Sequence, residues 1–233
     1  MHLQRIRTIS GHTFFPRTLT GNSIVVDLGA NRCAFSRAVH DAYGCRCFAV
    51  EASPELVAAT ACTTGVLLFN YAIASKNGTV HFNISSDPLG SSIREIAHRE
   101  RVVAVPARTL ETFLTENGLN RVDLLKVDIE GAEIDLFDTT PDDVLRRVAQ
   151  ITIEFHDFCG LTSPAEVQRI WRRLESLGFS GMRFSASNYN CVFVRRGECG
   201  IGSLEWFAMR YGVKYVRGAC IRLGLVRTDE QLN

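Results

Sequence analysis

The sequence predicts an α/β fold, a doubly wound and mostly parallel sheet with helices on both faces. Three observations lead to this prediction. Short apolar runs alternate with helical stretches along most of the chain. Gly29, Glu51 and Asp128 each follow an apolar run, as is typical of the carboxyl ends of parallel strands. The last two runs, residues 179–184 and 190–194, are joined by a short Ser/Asn turn, which makes them an antiparallel pair.

The composition is that of an ordinary globular protein. Of 233 residues, 46% are hydrophobic and 22% charged, so the chain can bury a core. The formal net charge of +1 argues against a general electrostatic attraction for nucleic acid. No apolar run is long enough to span a bilayer, and the N-terminus shows no hydrophobic signal core. The eight cysteines include no C-x-x-C pair, which favours reduced thiols in a cytoplasmic protein over a zinc ribbon, an iron–sulfur cluster or a disulfide scaffold.

The first predicted elements follow one another at short intervals. Apolar runs at residues 24–28, 45–50 and 66–69 predict strands. A helix is predicted over residues 34–43, and a second begins after Ser53, which is a good N-cap. This alternation is the order expected when helices connect parallel strands.

In the middle of the chain, the alternation of strands and helices is interrupted and then continues. Strands predicted at residues 79–84 and 102–105 flank a polar loop over residues 85–100. Thr109 is expected to cap a helix that runs to about residue 117, and a strand follows at residues 122–127.

Three further elements complete the predicted domain. A short helix around residues 132–137 precedes a strand at residues 148–155. Residues 163–166, Ser-Pro-Ala-Glu, form a predicted capping box that starts a helix to about residue 177.

We divide the chain into a lead-in (1–22), a main domain (23–197) and a C-terminal extension (198–233). The lead-in is expected to be irregular and to fold over the domain. In the extension, apolar residues recur at helical spacing beside basic ones, which predicts an amphipathic helix packed on the domain or on a twin subunit. Peripheral membrane contact through residues 205–224 is the alternative. The apolar stripe consists of Trp206, Met209, Val213, Val216, Cys220 and Leu223.

A predicted strand–turn–helix at residues 25–36 has the features of a ligand-binding turn. Gly29 lets the backbone approach a ligand closely, and the helix N-terminus beyond it offers free N–H groups to a carboxylate or phosphate. Asp27 can receive an amine or a hydroxyl at the same place. Glu51 ends the next strand, where an acid can accept both hydroxyls of a ribose. The dinucleotide fingerprint G-x-G-x-x-G is absent.

A dense acidic cluster follows another predicted strand. Residues 124–133 read L-L-K-V-D-I-E-G-A-E and place Asp128, Glu130 and Glu133 around a glycine. Such a cluster indicates a bound cation, a positively charged ligand or hydrogen bonds to backbone N–H groups. Glu130 and Glu133 are also typical of the first turn of a helix, which is the simpler interpretation.

Glu154 and His156 close the strand predicted at residues 148–155. Strand alternation puts both side chains on one face. Beside Asp128 they form a candidate catalytic group, because histidine is the usual general base near neutral pH. A structural histidine bonded to a loop carbonyl is the alternative.

Taken together, these motifs resemble the FkbM family of S-adenosylmethionine-dependent methyltransferases. The resemblance covers residues 20–195 and is carried by the D-L-G-A-N turn, the I-E-F-H strand and, most specifically, the K-V-D-I-E-G-A-E segment. The N-Y-A-I stretch at residues 70–73 and the G-S-S turn at residues 90–92 are also similar. The resemblance implies the Rossmann-like class I methyltransferase fold, a seven-stranded sheet with a final antiparallel hairpin. It further implies O-methylation of hydroxyls on sugars, glycolipids or secondary metabolites.

The resemblance also implies roles for individual residues. Glu51, with Ala52 beside it, would bind the ribose of the cofactor, and residues around Ala72 would face its adenine. Asp128 would lie near the methionine amine. The family usually has glycine where this chain has Cys33, whose Cβ would strain a backbone with positive φ. The turn residues that would hold the methionine end are Asp27, Gly29, Ala30 and Asn31.

Methyl transfer to an alcohol requires aligned reacting atoms and removal of the hydroxyl proton. We expect His156 to be the base, oriented or assisted by Glu154 or Asp128. The same three side chains can alternatively hold a divalent cation that lowers the pKa of the acceptor hydroxyl. The sequence leaves both versions open.

Two other functional classes fit part of the sequence. Cys33 favours a degenerate S-adenosylmethionine-binding or interaction module without turnover. A nucleotide-cofactor oxidoreductase would explain the first turn and Glu51, but not the acidic cluster. Balanced charge and the absence of a (D/N/S)-P-P-(Y/F) segment argue against nucleic-acid methylation. We therefore expect a cytoplasmic methyltransferase with a small-molecule or glycan acceptor, and a homodimer stays open.

Overall fold

The structure is a computed structural model. The predicted polar loop over residues 85–100, which includes the G-S-S turn, lies outside the described residues, as does the apolar stripe beyond residue 213. The described part of the chain comprises residues 6–61, 63–84, 101–156, 161–184 and 190–213.

Strands in the described part form three sheets, of which the largest has seven strands. A three-stranded sheet and a two-stranded hairpin accompany it. The strands are β1 (Arg7–Ile9), β2 (His12–Phe14), β3 (Ile24–Leu28), β4 (Arg46–Glu51), β5 (Val66–Asn70), β6 (Ala72–Ile73), β7 (Gly78–Ile84), β8 (Arg101–Arg108), β9 (Leu124–Val127), β10 (Gln150–Ile153), β11 (Ser180–Arg183) and β12 (Cys191–Val194).

Helices connect most strands of the large sheet, as the alternating pattern predicts. A 3₁₀ turn at Pro16–Thr18 precedes them, and a π-helical turn at Met209–Val213 follows the last one. The helices are α1 (Ala34–Tyr43), α2 (Pro54–Ala59), α3 (Leu110–Glu116), α4 (Glu133–Thr139), α5 (Asp142–Leu145), α6 (Pro164–Ser176) and α7 (Ser203–Ala208).

The large sheet has the strand order β11-β12-β10-β9-β3-β4-β5. Neighbours from β10 to β5 are parallel, whereas β12 runs antiparallel to both β10 and β11. This confirms the predicted class I methyltransferase fold with its final antiparallel hairpin. Since β3 lies between β4 and β9, the chain order reverses there, and the carboxyl ends of β3, β4 and β9 open onto one crevice.

Helix starts follow the capping signals of the sequence. The Ser53 hydroxyl accepts a hydrogen bond from the Leu56 N–H at 3.3 Å, and the Thr109 hydroxyl accepts one from the Thr112 N–H at 3.1 Å. At the start of α6, the complete capping box is present. These predicted caps are therefore confirmed, and they fix where the strand–helix connections end.

The two faces of β3 pack against different layers. Val26 and Leu28 belong to the large core cluster that includes Phe113 of α3. Val25 instead packs with Phe35 of α1 on the other face. The alternation of a strand therefore turns residue 27, between Val26 and Leu28, toward α1.

The lead-in is more regular than expected. β1 and β2 form an antiparallel hairpin, and β2 contacts β10 and β12 of the large sheet. The side chain of Gln150 accepts a hydrogen bond from the Phe15 N–H at 2.9 Å and donates one to the Phe15 C=O at 3.0 Å. Folding over the domain is thus confirmed, whereas the irregular conformation is wrong, because strands of three residues leave too short a pattern to detect.

The first part of the C-terminal extension packs on the domain, one of the two predicted settings. Trp206 and Met209 are buried in a cluster that includes Phe15. Leu204 and Phe207 point outward, with 85% and 61% of their surface exposed. None of the helices in the described ranges combines the length and the apolar character that crossing a bilayer requires.

Candidate active site

A cavity with a volume of ≈ 490 Å³ opens at the carboxyl ends of the central parallel strands. This volume lies within the range of small-molecule and cofactor sites. Asp27 and Ala30 are absent from its described lining, although the sequence predicts both as cofactor-binding. The predicted residues that do line it are Gly29, Asn31, Glu51, Ala52, Ala72 and Asp128.

Gly29 sits where two strands leave almost no space. Its φ is +75°, and a Cβ added there would lie 1.7 Å from the backbone oxygen of Asp128. The N–H groups of Gly29 and Ala30 both donate to the carbonyl of Val50 at 3.0 Å. Only glycine fits this position, and the turn is consequently fixed between β4 and β9.

Two residues of this turn have a left-handed backbone conformation although neither is a glycine. Asn31 has φ 49° and Cys33 has φ 58°. Cys33 is buried and packs with Ala30 and Ala49. The turn therefore does not shift to avoid a positive φ at Cys33, and the strain of a left-handed residue, about 1–2 kcal/mol, is borne by the fold.

Glu51 connects the turn after β3 to the start of α2. Its Oε2 accepts a hydrogen bond from the Asn31 N–H at 2.8 Å, and its Oε1 accepts one from the Ser53 N–H at 2.7 Å. Burial raises the pKa of this carboxyl, although both hydrogen bonds act in the opposite direction. Each carboxylate oxygen has a second lone pair, so Glu51 can still accept a ligand hydroxyl at the cavity wall.

Asp27 has a different environment from the one that the sequence suggests. Its carboxylate is fully buried and accepts a hydrogen bond from the Ser36 hydroxyl at 2.6 Å. Its other oxygen lies 3.1 Å from Nζ of Lys126. Asp27 thus faces α1 behind the turn, and the prediction that it receives a ligand amine or hydroxyl finds no support in these contacts.

Lys126 is a site residue that sequence reasoning missed. Its ammonium donates to the Gly29 carbonyl at 2.6 Å and lies 3.4 Å from Oδ2 of Asp128. Burial favours the neutral amine, but Asp27 and Asp128 outweigh it and hold the pKa of Lys126 above its ordinary value. The available signal was a lysine inside an otherwise apolar strand.

Asp128 lies close to several charged and polar groups of the site. It lines the cavity, and its Oδ2 also lies 3.4 Å from Nε2 of His12 on the N-terminal hairpin. Burial opposes ionisation, yet Lys126 and His12 together hold the pKa of Asp128 well below its ordinary value. Sequence reasoning missed His12 because the contact joins residues 116 positions apart.

The predicted trio of Asp128, Glu154 and His156 does converge. Nε2 of His156 lies 3.8 Å from an oxygen of Asp128 and 3.8 Å from an oxygen of Glu154. The same atom lies 3.1 Å from Oε2 of Glu130. On the other side of the ring, Nδ1 lies 2.8 Å from Oε1 of Glu133, which is fully buried.

The protonation of this cluster bears on the choice of a base. Burial favours a neutral His156 ring, but Glu130 and Glu133 overcome it and raise the pKa of His156 to about 11. Burial, with the charge of Asp128 acting in the same direction, raises the pKa of Glu154 to about 8. Near neutral pH and without other ligands, the ring of His156 therefore carries both protons. The pKa of Glu154 lies closer to neutral pH, which suits a general base better.

Sequence comparison gives two matches. The model of the family described as "Methyltransferase FkbM domain" matches residues 27–180. A curated relative, the AMB antimetabolite synthetase AmbE of Pseudomonas aeruginosa, is 31% identical over a match of 129 residues that covers 52% of this chain. The match spans only 6% of that relative's length.

The solved structures to which this chain is similar are distant from it in sequence. The precorrin-6y C5,15-methyltransferase of Geobacter metallireducens is 14% identical, with a TM-score of 0.41 over 76% of this chain and 81% of that one. The Methanococcus jannaschii fibrillarin pre-rRNA processing protein is 12% identical, with a TM-score of 0.45 over 81% of this chain and 69% of that one.

The residues of the cavity fit an S-adenosylmethionine site. The backbone cradle at Gly29 would be filled by any Cβ, and two carboxylates, Glu51 and Asp128, line the cavity on either side of it. The family match extends over more than half of the sequence and includes all three of these residues. The chain therefore belongs to the FkbM methyltransferase family, and its cofactor is S-adenosylmethionine.

Proposed function

We propose that this methyltransferase transfers its methyl group to a hydroxyl oxygen of a small-molecule or glycan acceptor. The observation that carries the proposal is the cluster of Asp128, Glu154 and His156 beside the cofactor cavity. The oxygen of an alcohol is a poor nucleophile while it keeps its proton. A group that takes the hydroxyl proton is therefore needed next to the reacting atoms. The cofactor, when bound, supplies an electrophilic methyl group.

The cavity residues bind and orient that cofactor. Gly29 and Asn31 line the cavity in the turn that precedes α1, and Glu51 offers carboxylate oxygens for a ribose. Asp128 places a negative charge at the edge of the cavity, which favours a positively charged sulfonium. Lys126 and His12 keep Asp128 ionised and oriented.

Glu154 is the member of the trio that we infer takes the proton. Its side chain is only 10% exposed and makes no hydrogen bond with another described residue. His156 was the base expected from the sequence, but it contacts Glu133 and Glu130 through its two ring nitrogens. We therefore assign proton acceptance to Glu154 and the orientation of the cluster to His156.

The acceptor is proposed to be a sugar, a glycolipid or a secondary metabolite. The relative from Pseudomonas aeruginosa is named an antimetabolite synthetase, which supports the last of these. The hairpin carrying His12 reaches Asp128 and is proposed to form one wall of the acceptor site. For the C-terminal extension we propose contact with a twin subunit or, as the alternative, with a membrane surface, because Leu204 and Phe207 are exposed.

A methyl-transfer screen with sugars, glycolipids and polyketides, read by mass shift, identifies the acceptor. With that acceptor, Glu154→Gln should lower kcat by about 10²–10⁴-fold, the usual contribution of a general base. Binding of S-adenosylmethionine, measured by calorimetry, should be unchanged. Glu111→Gln, at an exposed position of α3, serves as the control and should retain full activity.

Unchanged turnover in Glu154→Gln would reject the assignment of the base. Cofactor binding without transfer to any acceptor in the wild-type chain would instead favour the second candidate, a binding module without turnover. That candidate is favoured only by Cys33, which has a positive φ in the turn.

A further inference from the structure

Three side chains beside the cofactor cavity offer ligand atoms to one point. An imidazole nitrogen of His156 and carboxylate oxygens of Asp128 and Glu130 all lie within 4.8 Å of one another. From Nε2 of His156, the nearest oxygens of Glu130 and Asp128 are 3.1 Å and 3.8 Å away. Such separations are close to those between ligands that share one ion, at metal–ligand distances of about 2.0–2.2 Å.

The orientation of the His156 ring is a second and independent feature. Nδ1 lies 2.8 Å from Oε1 of Glu133, and the same oxygen accepts hydrogen bonds from the N–H groups of Gly131 and Ile129 at 3.1 Å and 3.3 Å. Glu133 is fully buried and so cannot be a ligand that reaches the cavity. A buried carboxylate that fixes one ring nitrogen and turns the other inward is the usual support of a metal-binding histidine.

Glu154 is a third carboxylate next to this point. Its side chain is nine-tenths buried, and the nearest histidine nitrogen, Nε2 of His156, is 3.8 Å away, beyond hydrogen-bond distance. No other described residue donates a hydrogen bond to its carboxylate. A buried carboxylate without such a partner is costly, and a cation in the adjacent cluster would offset that cost.

We propose that Asp128, Glu130 and His156 bind one divalent cation of the Mg²⁺ or Mn²⁺ class beside the cofactor cavity. Two carboxylates and one imidazole leave several coordination positions open for water and for an acceptor oxygen. The cation lowers the pKa of the acceptor hydroxyl, and Glu154 takes its proton. The oxygen then forms a bond to the methyl carbon as the carbon–sulfur bond breaks, which gives a methyl ether and S-adenosylhomocysteine.

This catalytic use rests on the proposed O-methyl transfer, whereas metal binding itself does not. Binding is therefore tested without any acceptor. Tag-free protein is treated with EDTA, dialysed and titrated with MnCl₂, and free Mn²⁺ is followed by electron paramagnetic resonance. We expect one Mn²⁺ per chain, and pulsed measurements should show nitrogen coupling from a coordinated imidazole.

Two variants and one control sharpen the test. His156→Asn removes a ligand and should weaken Mn²⁺ binding at least tenfold. Glu133→Gln changes only the residue behind His156 and should weaken it by about 10–100-fold. His81→Asn, on the exposed side of β7, should bind Mn²⁺ like the wild type. Circular dichroism and S-adenosylmethionine binding confirm that each variant is folded.

Absence of Mn²⁺ binding by the wild type, bound Mn²⁺ without nitrogen coupling, or unchanged affinity in folded His156→Asn would each overturn the metal site. Full methyl transfer in excess EDTA would overturn its catalytic use. Bound Mn²⁺ with no transfer to any hydroxyl would reject the proposed function and support the site itself, so the two failures are distinguishable.

Discussion

At the scale of single residues, the sequence predicts best those site residues that lie at the ends of strands. Glu51, Asp128, Glu154 and His156 were predictable because the carboxyl ends of neighbouring parallel strands meet at one edge. The environment of Asp27 was not, because the pattern did not show which face of β3 it would occupy. His12 was not predictable either, since its contact with Asp128 depends on how distant segments pack.

Gly29→Ala tests whether the close approach of the Gly29 backbone to Asp128 is needed for cofactor binding. The added Cβ would lie 1.7 Å from the Asp128 carbonyl oxygen, so β9 and the turn must separate. We expect S-adenosylmethionine binding to fall below detection in calorimetry, and stability in urea to fall by about 1–3 kcal/mol or more.

Gly118→Ala is the matched control for that change. Gly118 also has a positive φ, +64°, but a Cβ there meets nothing within 4 Å. It should therefore cost only the left-handed strain of about 1–2 kcal/mol and leave binding intact. Equal binding by the two variants would show that the close approach at Gly29 does not shape the site.

Lys126→Met tests the buried charges behind the turn. The change leaves Asp27, which is fully buried, without its cation at 3.1 Å. Breaking one side of such a pair costs about 3–5 kcal/mol, which urea unfolding would measure. Lys76→Met at an exposed position should change stability by less than about 0.5 kcal/mol. A similarly small effect at Lys126 would mean that Asp27 needs no counter-charge.

At the scale of elements, local signals predicted the helix starts well. Ser53, Thr109 and Ser163 all cap helices through their own side chains, so a few neighbouring residues determine the outcome. The N-terminal hairpin and the four-residue α5 were missed, because such short elements are stabilised by tertiary contacts rather than by a sequence pattern. The hairpin matters most, since it brings His12 to the site.

Gln150→Leu tests how the hairpin is held on the sheet. The substitution leaves the N–H and C=O of Phe15 without the partners that now lie at 2.9 Å and 3.0 Å. Each buried unsatisfied group costs about 1–3 kcal/mol, so the lead-in should open more often. Hydrogen exchange should lose protection at residues 12–15, whereas α6 keeps its own. Unchanged protection at residues 12–15 would show that apolar packing alone holds the hairpin.

At the scale of the whole molecule, the sequence predicts the architecture but not the acceptor. The alternation of strands and helices predicted the parallel sheet, and family resemblance added the seven strands and the cofactor. The acceptor does not follow from either, because it depends on walls outside the repeated core pattern. The N-terminal hairpin, which we propose as one such wall, is formed by a segment for which the sequence predicted no structure.

The most direct test of the central claim is the position of the transferred methyl group. The protein is incubated with S-adenosylmethionine carrying a ¹³C-labelled methyl group and with the acceptor found in the screen. The product is then examined by carbon NMR. We predict the chemical shift of a methyl ether, formed by the wild type and lost in Glu154→Gln. A shift characteristic of methyl on nitrogen or carbon would contradict the account.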